Sequence, residues 1–585
     1  MDKTGTGAIA RRQLIVCCDG TNNNLTGRRQ DTNVSQLCEL LAPEQNRQLL
    51  YYDPGVGNAG SLPEATWGEK IQQKYERLSG LAFGSGIYEN IAEAYYFLMR
   101  NWQEGDDIFL FGFSRGAFTA RSLGGLVTQF GILRPGMEVM VPTLLYSYFR
   151  ERGTAARKAE FDRTRDQISQ LFASDAAREA HVWFVGVWDT VASVGAPLPF
   201  LKKEITANPT IVGKRFDNVR QALALDEYRT TFKPRPYLIQ EGYDYARHQQ
   251  TIDQAWFDGG HCDVGGGYEN DHAGLSQQSF LWMVKEAASD VGRLRLRSEL
   301  LGADGLPDTT RIGQFLDALS EQRGPREKLV QSEVYRTAWW AMGGMSVRNP
   351  SDILDDGRAP QVAPRESPTV AANNLKFPAD SEWRRPRPWW PLMLAALFCL
   401  VFWTIAGAFL LGPDKPGSGT FLQVLLQFFP ALPLLWDANV GFAQWQIGWP
   451  FAWQSMNAWE DFHSPVKAVL ADFFLIASYG YLLARGMGWA FSRRAGLRRV
   501  GDPVPKWLNR LGQSGPLAMC GDLAENVLTL LVIGTSPNDF TPALPFALGV
   551  LMSLAALAKW VGILGCLLLI TWGLLGGSAR RKTPR

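Results

Sequence analysis

The sequence predicts an α/β domain with a mostly parallel sheet, followed by a C-terminal α-helical transmembrane region. Three observations carry that prediction. In the N-terminal half, short apolar runs alternate with longer segments of helical period, as strands joined by crossover helices do. One of those runs leads into Gly112-Phe113-Ser114-Arg115-Gly116, a pattern that puts a serine on a sharp strand-to-helix turn. In the C-terminal half, uncharged stretches reach the length needed to cross a bilayer. The 585 residues also exceed a single core, which stops growing near roughly 250–300 residues.

The elements follow in order. Gln13–Cys18 is a short apolar run closed by Asp19-Gly20-Thr21, a strand and its turn. Ile87–Trp102 has helical period. Asp107–Phe111 is the strand before the serine, and Ala117–Gln129 is the helix after it. Met137–Tyr146 is apolar and reads either as a lid or acyl-chain wall or as ordinary core packing. Val182–Trp188 is the most strand-like run in the domain, Ala255–Phe257 is another strand, and Leu275–Ser289 is a helix.

Composition removes several function classes. Hydrophobic residues make up 46% and charged residues 20%, so the chain is not disordered. The net charge is only +2 with no long basic run in the first half, so a nucleic-acid partner is not expected. Cysteines 17, 18, 38, 262, 399, 520 and 566 form no C-x-x-C pair and no Cys/His spacing that closes a tetrahedral metal site, so neither a metal nor a disulfide scaffold is expected; no cofactor is expected either. Met1–Arg12 has no apolar secretory core, which points to a domain that starts in the cytoplasm.

Ligands of parallel sheets bind beyond the carboxyl ends of the strands, and the candidate chemistry lies there. Ser114 is the candidate nucleophile, with Gly112 and Gly116 letting backbone pass close on either side of the elbow. The N–H of Arg115, at the helix N-terminus, is the expected oxyanion donor. A serine needs a base, and the five histidines narrow to His261 in Phe257-Asp-Gly-Gly-His-Cys-Asp-Val-Gly-Gly-Gly-Tyr268, with His272 as fallback. Asp189, closing the run Val182–Trp188, is the candidate to orient the imidazole, and Asp263 is its rival. Gly20 or Thr21 could give a second oxyanion N–H and Asp19 could support the site; a plain turn is the alternative.

These residues carry a resemblance. Cys18-Asp-Gly-Thr21, Thr32-Asn-Val34, Tyr52-Asp-Pro-Gly-Val-Gly57, Gly112-Phe-Ser-Arg-Gly-Ala-Phe118, Trp188-Asp-Thr-Val191 and His261-Cys-Asp-Val-Gly-Gly-Gly-Tyr268, in that order, resemble the catalytic domain of type VI secretion phospholipase effectors over roughly residues 12–345. The resemblance implies an α/β-hydrolase that cleaves glycerophospholipid esters through Ser114, Asp189 and His261 without a metal.

Residues 346–388 are rich in proline and charge, and read as a linker. From residue 386 onward there are 15 Lys/Arg against 9 Asp/Glu, and before it 44 against 48, so the halves differ in sign. A membrane region is expected at 389–577, with spans at about 389–411, 466–484, 516–533 and 543–575, and an interfacial or re-entrant segment at 421–436. Basic residues crowd the flanks that four spans put on one side: Arg384, Arg385 and Arg387; Arg493, Arg494, Arg498 and Arg499; Arg580, Arg581 and Lys582. This predicts a multi-pass inner-membrane protein with the catalytic domain and both termini in the cytoplasm. Asp522 and Glu525 share a helical face, with Asn526 beside them, while Asp472 and Lys559 lie in other spans. A polar clamp between helices and an ion or substrate path are both open readings of that set. The expected function is a membrane-anchored serine ester hydrolase whose partners are membrane lipids. A secreted antibacterial lipase toxin, and a membrane sensor or transporter with a non-catalytic hydrolase-like module, are the alternatives.

Overall fold

The computed structural model describes residues 11–20, 31–42, 47–55, 85–150, 154–191, 193–194, 203–204, 212–225, 227–238, 243–257, 259–267, 275–319, 348, 365–366, 397, 401, 463–495, 506–533 and 543–575. Its main sheet is seven-stranded and contains β1 (Gln13–Cys18), β2 (Gln48–Asp53), β3 (Asp107–Phe113), β4 (Val182–Trp188), β5 (Phe216–Ala224), β6 (Thr251–Phe257) and β7 (Arg365–Glu366). The spatial order is β2-β1-β3-β4-β5-β6-β7, and every neighbouring pair is parallel. The chain runs outward from β1 to β2, returns across β1 to β3, and then proceeds the other way. The carboxyl ends of β1 and β3 therefore flank the point where strand order reverses, where a crevice opens in sheets of this kind.

The helices that matter to the site are α1 (Asn33–Leu40), α2 (Ser85–Asn101), α3 (Arg115–Phe130), α4 (Val141–Phe149), α5 (Ala155–Phe172), α6 (His261–Gly265) and α7 (Ser276–Ala287), and in the C-terminal half α8 (His463–Ala495), α9 (Ser514–Ile533) and α10 (Ala543–Leu575). Every residue of β1 and β3 is buried, because helices cover both faces, and beyond their first residues, Gln13 and Asp107, both runs are apolar as such a strand favours. Side chains alternate between two cores. Leu14, Val16, Ile108 and Leu110 pack with residues of α2, α3, α4 and α5, and Ile15, Cys17, Phe109 and Phe111 pack with residues of α1 and α7. Val141, Leu144 and Leu145 of α4 belong to the first core while Val139 and Tyr146 are exposed, so Met137–Tyr146 packs one side against the sheet and turns the other outward.

Two strands were hidden from pattern reading. Within β5, Asn218, Arg220 and Gln221 are buried polar residues that break the apolar run. Each donates to a neighbour: Asn218 Nδ2 to Trp183 O at 3.0 Å, Arg220 Nε to Glu286 Oε2 at 2.6 Å, and Gln221 Nε2 to Arg235 O at 3.1 Å. The other is β7, which lies inside the stretch expected to be linker. It pairs with β6, Ala255 opposite Arg365 and Trp256 opposite Glu366, so the sheet recruits part of that stretch.

In the C-terminal half, one segment among the described residues, Leu554–Gly573, is long and apolar enough by itself to cross a membrane, and Asp472–Ala484 is a shorter apolar helix. The expected span 389–411 and the segment 421–436 lie outside the described residues, apart from Leu397 and Val401. Helices α8, α9 and α10 pack together with their polar residues inward. Lys559 Nζ meets Asp522 Oδ1 at 2.9 Å and Glu525 Oε2 at 2.7 Å, Tyr479 OH donates to Asp522 Oδ2 at 2.6 Å, and Asn526 Nδ2 donates to Asp472 Oδ2 at 2.9 Å. Leu470, Phe474, Leu523, Val527, Leu531, Leu554, Leu557, Val561, Leu564 and Leu568 face outward and are exposed.

Glycines let α9 and α10 approach closely. A Cβ on Gly562 would stand 2.3 Å from Ala518 N and 2.7 Å from Ser514 O, and one on Gly521 would stand 2.5 Å from Lys559 N. Gly562→Leu is therefore expected to cost about 1–3 kcal/mol by forcing the two helices apart. Thermal melting of the detergent-solubilised protein checks this, with Gly313→Ala as a control, since a Cβ at Gly313 has nothing within 4 Å.

Candidate active site

Strand β3 delivers Ser114 and α3 begins at Arg115, so the turn between them must be abrupt. It is: Ser114 has φ 58° and ψ −121°, a conformation that L residues rarely adopt. The turn is pinned from several sides. Ser114 N–H donates to Trp188 O at 3.1 Å on β4, and its carbonyl accepts from Val191 N–H at 3.4 Å. The flanking glycines are required by contact. A Cβ on Gly112 would lie 2.5 Å from Gly116 O, and one on Gly116 would lie 2.2 Å from Cys18 O and 2.3 Å from Asp19 O.

The residues expected to act with Ser114 converge on it. His261 Nε2 lies 2.7 Å from Ser114 Oγ, and His261 Nδ1 lies 2.6 Å from Asp189 Oδ2. With Nδ1–H donating to the carboxylate, Nε2 is the acceptor for the serine hydroxyl. All three are buried. The ring is fixed between Phe113, with centroids 4.6 Å apart, and Phe232, edge-on at 4.9 Å. His261 is the first residue of α6, and its N–H donates to Glu227 Oε2 at 3.2 Å. Asp189 directly follows β4 with φ 35°, its N–H bonded to Ala222 O at 2.7 Å.

The rivals go elsewhere. Asp263 Oδ2 accepts from Gly260 N–H at 2.8 Å, capping α6 instead of facing the imidazole of His261. His181 Nδ1 lies 3.0 Å from Asp217 Oδ1, and His248 stacks on Tyr243. His463 begins α8, and His272 and Thr21 lie outside the described residues.

Gly20 corrects one expectation. Its N–H donates to Asp19 Oδ1 at 2.6 Å, so it is committed to a carboxylate that would repel an oxyanion. Asp19 ties the end of β1 to its neighbours: its other oxygen accepts from Thr32 Oγ1 and Tyr52 OH, both at 2.7 Å. Burial outweighs those donors and pushes its carboxyl up to about 6. Next to it, Asp53 is also raised by burial while it accepts from Asn90 Nδ2 at 2.8 and 2.6 Å. Arg115 sits at the start of α3 as expected, and burial lowers its guanidinium to about 10.

Three charged residues of the site were not anticipated. Arg348 reaches Asp189 with both terminal nitrogens. Glu227 and Arg229 form a buried pair below His261, with Arg229 Nε on Glu227 Oε1 at 2.8 Å and Nη2 on Oε2 at 2.7 Å. Burial opposes ionisation of Asp189, but Arg348 and His261 prevail and hold it well below the usual carboxylate range. Glu227 is likewise held below its ordinary value, against burial, chiefly by Arg229. Nothing local in the sequence marks these residues, although Thr32 and Tyr52 stood in the motifs quoted above. The segment bearing Glu227 and Arg229 is two-faced. Tyr228 packs with Ala484, Met487, Leu508, Cys566 and Leu569 of the C-terminal helices, and Thr230 Oγ1 accepts from Gln513 Nε2 at 2.9 Å.

A serine, an imidazole and a carboxylate in this relay, buried beside a helix N-terminus, can carry out acyl transfer. Among the described residues no group of His, Cys, Asp or Glu could hold a metal ion.

Comparison with known proteins agrees with the expected family. Residues 12–286 match the family model described as T6SS, phospholipase effector Tle1-like, catalytic domain. The chain is also 32% identical over 239 residues to an uncharacterized protein, YEL023C, of Saccharomyces cerevisiae, a match that takes in 39% of this chain and 33% of that one. The match thus spans about a third of that curated relative's length. Among solved structures, the Tle1 effector bound to the VgrG spike of the type 6 secretion system matches with TM-score 0.25 and 18% identity, over 46% of this chain and 56% of that one. An uncharacterized protein from Pseudomonas aeruginosa matches with TM-score 0.29 and 14% identity, over 82% and 67%. Scores this low add nothing to the family match. The N-terminal region is similar to a phospholipase effector catalytic domain, which implies a hydrolase of esterase or lipase type.

Proposed function

We propose that the chain is a membrane-anchored serine hydrolase that cleaves glycerophospholipid esters through Ser114, His261 and Asp189. The observation that carries the reading is the buried relay from Ser114 Oγ to His261 Nε2 at 2.7 Å and from His261 Nδ1 to Asp189 Oδ2 at 2.6 Å. In the acylation step, the Ser114 hydroxyl gives its proton to His261 Nε2 as Oγ bonds to the ester carbonyl carbon. The oxyanion that forms lies within reach of the Arg115 N–H, at the positive end of α3. His261 then returns the proton to the departing alcohol as the ester C–O bond breaks. Water, deprotonated by the same nitrogen, releases the fatty acid and restores the serine. Asp189 keeps Nδ1–H oriented and stabilises the imidazolium in both halves of the cycle.

The membrane part of the proposal rests on how α8, α9 and α10 are sorted, with apolar side chains outward and charged ones inward. That is the reverse of a soluble bundle and suits surrounding lipid. The helix ends that meet Tyr228 and Thr230 are those next to the basic flanks at 493–510 and after 575, as a cytoplasmic hydrolase domain requires. On this reading the catalytic domain of residues 12–345, extended by Arg348 and β7, works at the cytoplasmic face of the inner membrane, where tethering keeps it at high effective lipid concentration.

A serine-directed fluorophosphonate should label the full-length protein at Ser114, located by peptide mass spectrometry. The same preparation should release lysophospholipid or fatty acid from mixed phospholipid vesicles. Labelled Ser114 without lipid release would move the substrate to another ester or thioester. No label on folded protein would point instead to a binding module.

A further inference from the structure

We propose that Arg348 is a positioning residue of the hydrolase: it completes the bonding of the Asp189 carboxylate, fixes the direction in which that carboxylate holds His261, and neutralises part of its charge. The inference rests on the triad reading above and adds a member that no sequence motif marks. A carboxylate has about four acceptor positions, and at Asp189 each is used. Oδ1 accepts from Ala224 N–H at 3.0 Å and from Arg348 Nη1 at 2.6 Å; Oδ2 accepts from His261 Nδ1–H at 2.6 Å and from Arg348 Nη2 at 3.0 Å. The guanidinium is itself held, by Ala224 O at 2.7 Å from Nη1 and by Phe232 O at 2.5 Å from Nη2. Side-chain exposure is 3% for Arg348 and 0% for Asp189, so the pair is fully desolvated.

A bidentate guanidinium is planar and admits one orientation of its partner. Asp189 can therefore not rotate away from His261. The same contact weakens the field that Asp189 exerts on the imidazole, because the positive charge stands directly behind the carboxylate. Orientation is gained and basicity is given up. Among the described residues, the other charged groups facing the pair are Glu227, which meets the His261 N–H, and Arg229, which neutralises Glu227. With those two cancelling, Arg348 is the charge whose removal changes the balance at His261.

The test uses full-length protein in detergent, as Arg348→Gln and Arg348→Lys beside wild type. The readout is deuterium exchange at the imidazole C2–H of His261 across pH, followed by mass spectrometry. Arg348→Gln should move the His261 exchange midpoint to higher pH by about one unit or more, since a buried positive charge has been removed. His181 and His248 should not move. Arg348→Lys keeps the charge but not the fork, so its midpoint should stay near wild type while kcat falls at least about tenfold with KM little changed. An unmoved His261 midpoint in folded Arg348→Gln overturns the proposal, as does full kcat in Arg348→Lys. If Arg348→Gln fails to fold, the lysine variant alone decides through kcat. Should wild type show no Ser114-dependent hydrolysis while the His261 midpoint still moves, the ester-hydrolase reading falls and the electrostatic coupling stands.

Discussion

Replacing His261 with alanine should lower kcat by about 10⁴-fold or more, with little change in KM. The reason is that, in the proposed mechanism, His261 is the group that both accepts and returns the proton in each half-reaction. Its Nε2 stands 2.7 Å from Ser114 Oγ, and no other imidazole among the described residues is placed against the serine. His181 is paired with Asp217 and His248 is stacked on Tyr243, so neither can take over. The same variant tests a second point. The proposed oxyanion donor, the Arg115 N–H, remains, so residual turnover above the buffer rate should survive and should not depend on Asp189. Fatty-acid release from phospholipid vesicles gives kcat and KM, and circular dichroism shows whether the cavity left between Phe113 and Phe232 has disturbed the fold. A loss of less than about tenfold in folded protein would remove His261 from the mechanism.

Gly116→Ala is expected to cost the N-terminal domain more than about 3 kcal/mol, enough to lose folded protein rather than merely activity. One methyl group is the whole perturbation, but it would stand 2.2 Å from Cys18 O and 2.3 Å from Asp19 O. Those are backbone atoms at the end of a central strand, so they cannot swing aside as a side chain would. Gly112 faces the same limit from the other side, against Gly116 O and Ala117 Cα. Soluble yield, protease resistance and fluorophosphonate labelling should fall together. Retention of normal melting with loss of labelling alone would mean that α3 can lift from β1 without cost.

What could be read from the sequence was what is local. The serine, its strand and its helix occupy one continuous stretch, and the elbow needs glycine on both sides for steric reasons that hold in any such turn. His261 and Asp189 could be chosen because each closes a strand-like run or sits in a glycine-dense loop at the catalytic end of the sheet. Arg348 could not: it meets Asp189 across 159 residues, from a stretch whose prolines and charges read as linker. Glu227 was equally silent, since its role lies in the N–H of a residue 34 positions away. Strand β5 escaped because its buried polar residues find partners only once β4, β6 and α7 are in place. The oxyanion role considered for Gly20 failed for a local reason that composition hides, namely that the Asp19 side chain turns back onto the next amide.

The alternation along Glu227-Tyr228-Arg229-Thr230 bears on how the protein can be taken apart. Odd positions are floor for the imidazole and even positions are mortar for the helices, within four consecutive residues. A blade passed between the halves would therefore not fall in a joint. It would leave Tyr228 and Thr230 as raw inner surface on the N-terminal piece, one peptide bond from residues that seat the base. Rates measured on the severed piece would be those of a room with one wall removed.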